Sequence, residues 1–186
     1  MDESVVAAMT KWPNVPAVSG WLSLDMHGHW RLKGEPVTHP GLVDFINRNY
    51  DRDDEGRWYF QNGPQRVYVS LEYTPLVLHV DSNGTLFTHT GREVKRITAA
   101  LVDEEGNFLL ETERGIAVVE SSALPRVSEW LVDAAGDPLE DDTTTSGGVG
   151  GGAHFAWGDQ RLPVQSMRRR DIPTTYGYSR DPVVSG

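Results

Sequence analysis

The sequence predicts an α+β fold: a mainly antiparallel sheet of short hairpins, two covering helices and a flexible C-terminal tail. Three observations lead there. Short apolar runs of strand length follow one another, polar Gly-bearing turns separate them, and a Gly-rich stretch lies late in the chain. Strands joined by such short turns pair antiparallel, because a parallel connection needs a crossover of about a dozen residues or more.

The elements follow in order. Val5, Val6 and Met9 space as one stripe of a short helix, and Pro13 and Pro16 forbid its continuation. Residues 21–24 read as a strand, 25–28 as a turn and 29–32 as the return strand. A helix then starts at Thr38 or His39, with Pro40 in its first turn and Leu42, Phe45, Ile46 and Asn49 at helical spacing. An acidic turn at 51–56 leads into strands at 57–60 and 66–71, joined by Asn62-Gly63-Pro64. Further strands are expected at 76–80, 86–88, 94–102, 108–112 and 116–120. Ser122 and Pro125 open a second helix with Leu124, Val127, Trp130 and Leu131 on one face. The two helices cover one face or one end of the sheet.

This divides the chain into an N-terminal lead (1–19), an α+β domain (20–136), a Gly-rich acidic linker (137–152) and an aromatic and basic C-terminal segment (153–186). The run Ser146-Gly147-Gly148-Val149-Gly150-Gly151-Gly152 has linker composition. It is no phosphate loop, since neither a preceding strand nor a following Lys-Ser/Thr is present.

Composition narrows the chemistry. The 186 residues contain no cysteine, which removes disulfides, thiolate metal sites and cysteine nucleophiles. The net charge is −10, and residues 1–140 hold 12 Lys/Arg against 22 Asp/Glu. An acidic body is repelled by phosphate backbones, so nucleic-acid binding by that body is disfavoured. No apolar stretch has the roughly 20 residues of a membrane helix. The acidic start lacks the basic and apolar regions of a secretory signal, so a cytoplasmic location is expected.

A weak internal echo relates Asp25-x-x-Gly28-x-Trp30-x-Leu32 to Asp103-x-x-Gly106-x-Phe108-x-Leu110. Over residues 25–80 a longer pattern runs Asp25, Gly28, Trp30, Gly34, Pro36-Val37, Leu42, Phe45, Gly56, Trp58-Tyr59, Val67, Val69, Glu72 and Pro75-Leu76. It continues more loosely through Thr88, Gly91 and Val94 to 109–131. In this order of matches, over about residues 20–135, the chain resembles DUF1285, a bacterial domain-of-unknown-function family. The resemblance implies a compact α+β protein and brings no catalytic residues with it.

Several clusters invite a site. Asp25, His27 and His29 alternate, and residues i, i+2 and i+4 of a strand share a face, where imidazoles and a carboxylate suit zinc, iron or manganese. Gly28 sits between the histidines at the expected turn, which breaks that period. His79, on a strand among Leu76, Val77, Leu78 and Val80, is the nearest further ligand candidate. Asp51, Asp53 and Glu55 before Gly56 imitate half a calcium loop, but the twelfth position is Asn62 instead of Glu. No Gly-x-Ser-x-Gly elbow occurs. Glu72, at a strand end, either accepts backbone N–H groups or contacts a ligand. Trp157, Arg168, Arg169 and Arg170 form the aromatic and basic signal of the C-terminal segment, directed at a phosphate, an acidic partner surface or the chain's own acidic body.

No catalytic set and no cofactor motif emerges. The expectation is a non-catalytic binding or regulatory module for an unknown protein or small-molecule partner. The alternative is a metal-dependent hydrolase using Asp25, His27, His29 and His79.

Overall fold

A computed structural model of the chain describes residues 1–139 and 152–184. The expected Gly-rich linker falls mainly on 140–151, outside the described residues. The chain divides into two compact units. The first takes Met1–Pro75, His89–Gly91 and Gly177–Gly186, and the second takes Leu76–Thr88 and Arg92–Tyr176.

The first unit holds helices α1 (Glu3–Lys11) and α2 (Pro40–Arg48) and a six-stranded sheet. Its strands are β1 (Val18–Leu24), β2 (Trp30–Leu32), β3 (Glu35–Pro36), β4 (Tyr50–Arg52), β5 (Trp58–Asn62) and β6 (Gln65–Leu71), ordered β3-β2-β1-β6-β5-β4. Helix α2 forms where expected. His39 caps it by accepting from Leu42 N–H at 3.3 Å, and Pro40 fills a position whose N–H needs no partner. Its Ile46 is buried. Around Trp30 the core is aromatic: Trp30, Tyr50, Trp58 and the ring of His89 pack at centroid distances of 4.9–5.6 Å. Two of these rings have their polar ends satisfied, Trp30 Nε1 donating to Asn47 at 2.7 Å and Tyr50 OH to the Pro75 carbonyl at 3.0 Å. Burial holds the Tyr50 hydroxyl well above the usual phenol range.

The second unit holds an eight-stranded sheet made of β7 (Leu76–Val80), β8 (Leu86–Thr88), β9 (Ile97–Val102), β10 (Phe108–Thr112), β11 (Gly115–Val119), β12 (Leu131–Val132), β13 (His154–Trp157) and β14 (Gln160–Ser166). The order is β12-β13-β14-β9-β10-β11-β7-β8. Leu78, Leu101, Leu109, Leu110 and Phe155 are among its fully buried side chains.

Both units repeat one five-strand motif. A hairpin opens it, β1–β2 or β7–β8. A meander follows, β4–β5–β6 or β9–β10–β11. The meander's last strand then returns parallel beside the first strand of the hairpin, β6 on β1 and β11 on β7. Even the closing residue repeats: Glu72 N–H donates to Leu24 O at 3.0 Å, and Glu120 N–H to Leu78 O at 2.9 Å. The first unit inserts α2 between hairpin and meander. The second extends its sheet past β9 with β14, β13 and β12. The echo seen in the sequence therefore joined the wrong hairpins. By position in the motif, the 25–28 turn answers to 81–84, and 53–56 answers to 103–106.

One turn design recurs five times among the described residues. Asp25, Asp53, Asp81, Asp103 and Asp133 each precede a glycine by three positions. In each turn the glycine N–H donates to the Asp carbonyl at 3.0–3.1 Å. The Asp Oδ1 accepts from the N–H groups two and four residues on, at 2.8–3.1 Å. The carboxylate thereby satisfies donors that a tight turn leaves without partners. The glycine adopts φ of +74° to +101°, the left-handed region.

Three expectations are corrected. Both sheets are mixed and not mainly antiparallel: β1–β6, β7–β11 and β9–β14 are parallel. Short turns dictate the pairing of consecutive strands only, and these three pairs join strands far apart in sequence. The two covering helices do not stand as expected. The second shortens to a 3-10 turn (Ser121–Ala123) and α3 (Leu124–Ser128), because Leu131 is taken into β12 against Phe155. The flexible C-terminal tail is replaced by β13 and β14, a 3-10 turn at Arg169–Asp171 and α4 (Ile172–Thr175). Phe155 drives this, fully buried beside Phe108 and Trp130 at 5.8 and 6.0 Å. Gln160 adds a false strand rung, its amide accepting from Ile97 N–H at 3.0 Å and donating to Ile97 O at 2.8 Å.

The turn glycines differ in what surrounds them. A Cβ at Gly106 meets nothing within 4 Å, whereas a Cβ at Gly56 lies 2.0 Å from the Gly177 carbonyl oxygen. Gly106→Ala is expected to cost about 1 kcal/mol from its left-handed φ alone. Gly56→Ala, which must also displace backbone, is expected to cost at least about 3 kcal/mol. Urea unfolding followed by circular dichroism measures both, and equal losses would refute the close approach.

Candidate functional site

In the first unit, β1 and β6 run parallel and end side by side at Leu24 and Leu71. A trough of about 280 Å³ opens beyond these ends, lined by Asp25, Arg31, Ser70, Glu72, Arg180 and Asp181 among others. The carboxyl ends of parallel strands are where open sheets with helices place ligands, since the strands stop there and the chain diverges.

The trough's charges are held in fixed positions. Asp25, 8% exposed, gives Oδ1 to the His27 and His29 N–H groups at 3.0 and 2.8 Å. Its Oδ2 lies 3.4 Å from His29 Nδ1 and 3.7 Å from Arg31 Nε. Glu72 Oε2 accepts from Met26 N–H at 3.1 Å, so the carboxylate after β6 braces the turn after β1. Arg180 donates from Nε to Leu71 O at 3.3 Å and from Nη2 to Glu72 O. Leu71 N–H in turn donates to Arg180 O at 2.7 Å. The last described segment thus clamps the end of β6 and supplies one wall of the trough.

The sequence-derived candidates are distributed as follows. Asp25 and Glu72 meet in the trough, and His27 and His29 flank it on the turn, with ring centroids 6.3 Å apart. The His29 side chain is 74% exposed. His79 stands in the second unit, on β7 opposite Phe87 of β8. Among the described residues, no group of three or more His, Asp or Glu side chains could hold a metal ion. Asp53 and Glu55, of the calcium-like spacing, bind Arg57 instead, at 2.8 and 3.0 Å. Trp157, in the second unit, donates from Nε1 to Gly84 O at 3.4 Å and borders a shallow trough of about 450 Å³ with Lys95 and Gln160.

The arginine run divides. Arg169 turns onto the acidic 103–106 turn, its N–H donating to Glu104 at 2.7 Å and its guanidinium pairing with Glu105. That contact holds the Glu104 carboxyl below its usual range, chiefly through the Arg169 backbone N–H. Arg170 points outward, 72% exposed, with its contact to Asp171 at 3.6 Å. Arg168 lies before the 3-10 turn. Sequence reasoning missed Arg31, Arg180 and Asp181 in the trough. No local signal marks the last two, because only the fold brings position 180 against β6.

What the residues define is a strand-rich protein of two mixed sheets built on one repeated motif, carrying a charged trough at a parallel strand end. The chain belongs to DUF2944, a family described as "Protein of unknown function (DUF2946)", whose model matches residues 1–183. In fold it is similar to the crystal structure of a DUF1285 family protein from Silicibacter pomeroyi DSS-3. That similarity has a TM-score of 0.56 at 16% identity and covers 88% of this chain and 94% of that one. A DUF1285 family protein from Shewanella baltica OS155 also matches, at TM-score 0.42 and 14% identity, over 56% of this chain and 87% of that one. The resemblance read from the sequence is thus supported by structure. No curated protein matches the chain. Among the described residues, no helix is long and apolar enough to cross a membrane.

Two outcomes follow from these contacts. Arg169→Ala is expected to lower the stability of the second unit by about 0.5–1 kcal/mol, and Arg170→Ala to leave it within about 0.5 kcal/mol, by urea unfolding. Asp53 tests the turn design. Desolvation pushes its carboxyl up, but hydrogen bonds from Arg57 backbone and side chain and from Tyr68 outweigh that and hold it below the usual range. A depressed carboxyl stabilises above its unfolded value, about pH 3.9, and the gain disappears as pH falls through the lower folded value. The stability advantage of the wild type over Asp53→Asn is therefore expected to be flat from pH 7 to about 5 and to shrink below about 4. Thermal unfolding across pH 2–7 reads it, and a difference independent of pH would sink the assignment.

Proposed function

We propose that the chain is a non-catalytic binding module and that the trough beyond β1 and β6 holds a small polar ligand. The observation that carries this reading is the engagement of both trough carboxylates. Asp25 Oδ1 accepts two backbone N–H groups and Glu72 Oε2 a third, so each carboxylate braces a turn through one oxygen. A general base or nucleophile needs an oxygen poised toward substrate. Groups fixed this way instead supply a rigid, preorganised rim. Arg31, 45% exposed, and the Ser70 hydroxyl supply donors within that rim. The ligand class that fits is a compact molecule with an anionic group for Arg31 and a further acceptor for the Ser70 hydroxyl. Docking of such a ligand beside the 25–28 turn would give the module a regulatory output, since the turn, β6 and the 177–184 segment share these hydrogen bonds.

The test is a thermal-shift screen of small mono- and dicarboxylates and phosphoesters against the wild type and Arg31→Ala. A compound that raises the wild-type Tm by several degrees and leaves the variant unmoved supports the reading. Turnover of ester or phosphoester substrates that depends on added zinc, iron or manganese would overturn it.

A further inference from the structure

A second cavity of the first unit has a different chemistry. It measures about 360 Å³ and lies between the loop after α1 and the β5–β6 hairpin. That is within the range of small-ligand pockets, roughly 300–1,000 Å³. Its walls include Met9, Trp12, Val15, Gln61, Arg66 and Tyr68, and it shares no lining residue with the charged trough. The loop is held over the hairpin by Gln65 Nε2, which donates to Pro16 O at 3.3 Å.

Three features of this cavity suit an occupant. Gln61 is 2% exposed, and its Nε2 donates to Gly63 O at 3.0 Å, but its Oε1 is buried and accepts from nothing among the described residues. A buried acceptor without a donor is destabilising. Arg66 stacks its guanidinium 4.0 Å over the Tyr59 ring and reaches the Tyr68 side chain, yet makes no ion pair among the described residues. Arg57, over Tyr68 at 4.8 Å, by contrast has Asp53 as its counter-ion. Trp12 is 50% exposed at the cavity mouth, with Lys11 over its ring at 4.6 Å.

We infer that this cavity binds a small aromatic carboxylate carrying a ring N–H or O–H donor. The carboxylate pairs with the Arg66 guanidinium, whose planar fork matches two carboxylate oxygens. The aromatic ring lies against Trp12 and Met9, burying apolar surface that the free protein leaves half wet. The ring donor meets Gln61 Oε1, which is buried in the free protein, once the Gln61 amide turns toward the cavity, and completes its hydrogen bonding. The acidic charge of the protein does not oppose this, because Arg66 presents a local positive centre inside the cavity wall.

Three probes of one shape test the idea by calorimetry on the full chain. Indole-3-acetate carries all three elements, naphthalene-1-acetate lacks the ring N–H, and indole-3-acetamide lacks the charge. Indole-3-acetate is expected to bind, and each of the others about ten-fold more weakly, the loss of one hydrogen bond or one charge pair. Arg66→Gln is expected to level indole-3-acetate with indole-3-acetamide. Gln61→Met is expected to level indole-3-acetate with naphthalene-1-acetate. Circular dichroism verifies the fold of both variants, and should Gln61→Met fail to fold, the three probes on wild type and Arg66→Gln decide alone. The inference is overturned if indole-3-acetate shows no heat at millimolar concentration, or if Arg66→Gln binds it as the wild type does. It is equally overturned if the two acetates bind alike. An Arg31→Ala protein is expected to bind indole-3-acetate normally, which separates this cavity from the charged trough.

Discussion

Pairing a first strand with a last one is the constraint on which each unit rests. A hairpin alone, or a three-stranded meander alone, exposes two edges and buries one side of few residues. Laying β6 beside β1 joins two marginal pieces into one sheet, and laying β11 beside β7 does the same in the other unit. The entropy of closing such a loop grows only slowly with its length, so α2 can be inserted in one copy without upsetting the motif. Residues at the middle of these seams are then buried. Val69, Leu76, Val77, Leu78 and Val118 are all at most 3% exposed.

The aspartate turns serve that closure. Each reverses the chain within four residues and gives acceptors to the N–H groups two, three and four positions on, so the strands on either side enter the ladder in fixed register. In the first unit one turn does more than reverse direction. Its Met26 N–H is taken by Glu72, the residue that ends the returning strand. The hairpin and meander are thereby tied at the place where the charged trough opens, and the geometry of that trough is a by-product of how the motif closes.

Much of this was legible locally and little of it globally. The turn at 53–56 and helix α2 were readable because Asp-Gly spacing, His39 and Pro40 act on their near neighbours. Parallel closure has no such neighbour signal, and it inverted the expected sheet type. Its trace was present in the unbroken apolar runs at 76–78 and 116–119, the pattern of strands covered on both faces. Asp25 and Glu72 could be nominated one at a time, but their meeting could not, and neither could Arg180, 108 positions from Glu72. The second helix was over-read because Leu131 fits a helical face as well as a strand. Phe155 decides between them, and its influence comes from beyond the linker.

The course of the final segment sets an order of events during synthesis. Domains generally fold as they leave the ribosome, amino-terminal part first. Here Ser179 N–H donates to Gly56 O at 3.1 Å and Val184 N–H to Ser19 Oγ at 3.4 Å, so the amino-terminal unit takes backbone partners from residues that follow the second sheet in sequence. All the strands of the second sheet have left the tunnel before those partners emerge. The unit translated first is the one finished last, and until then Leu71 N–H stays without its acceptor, Arg180 O.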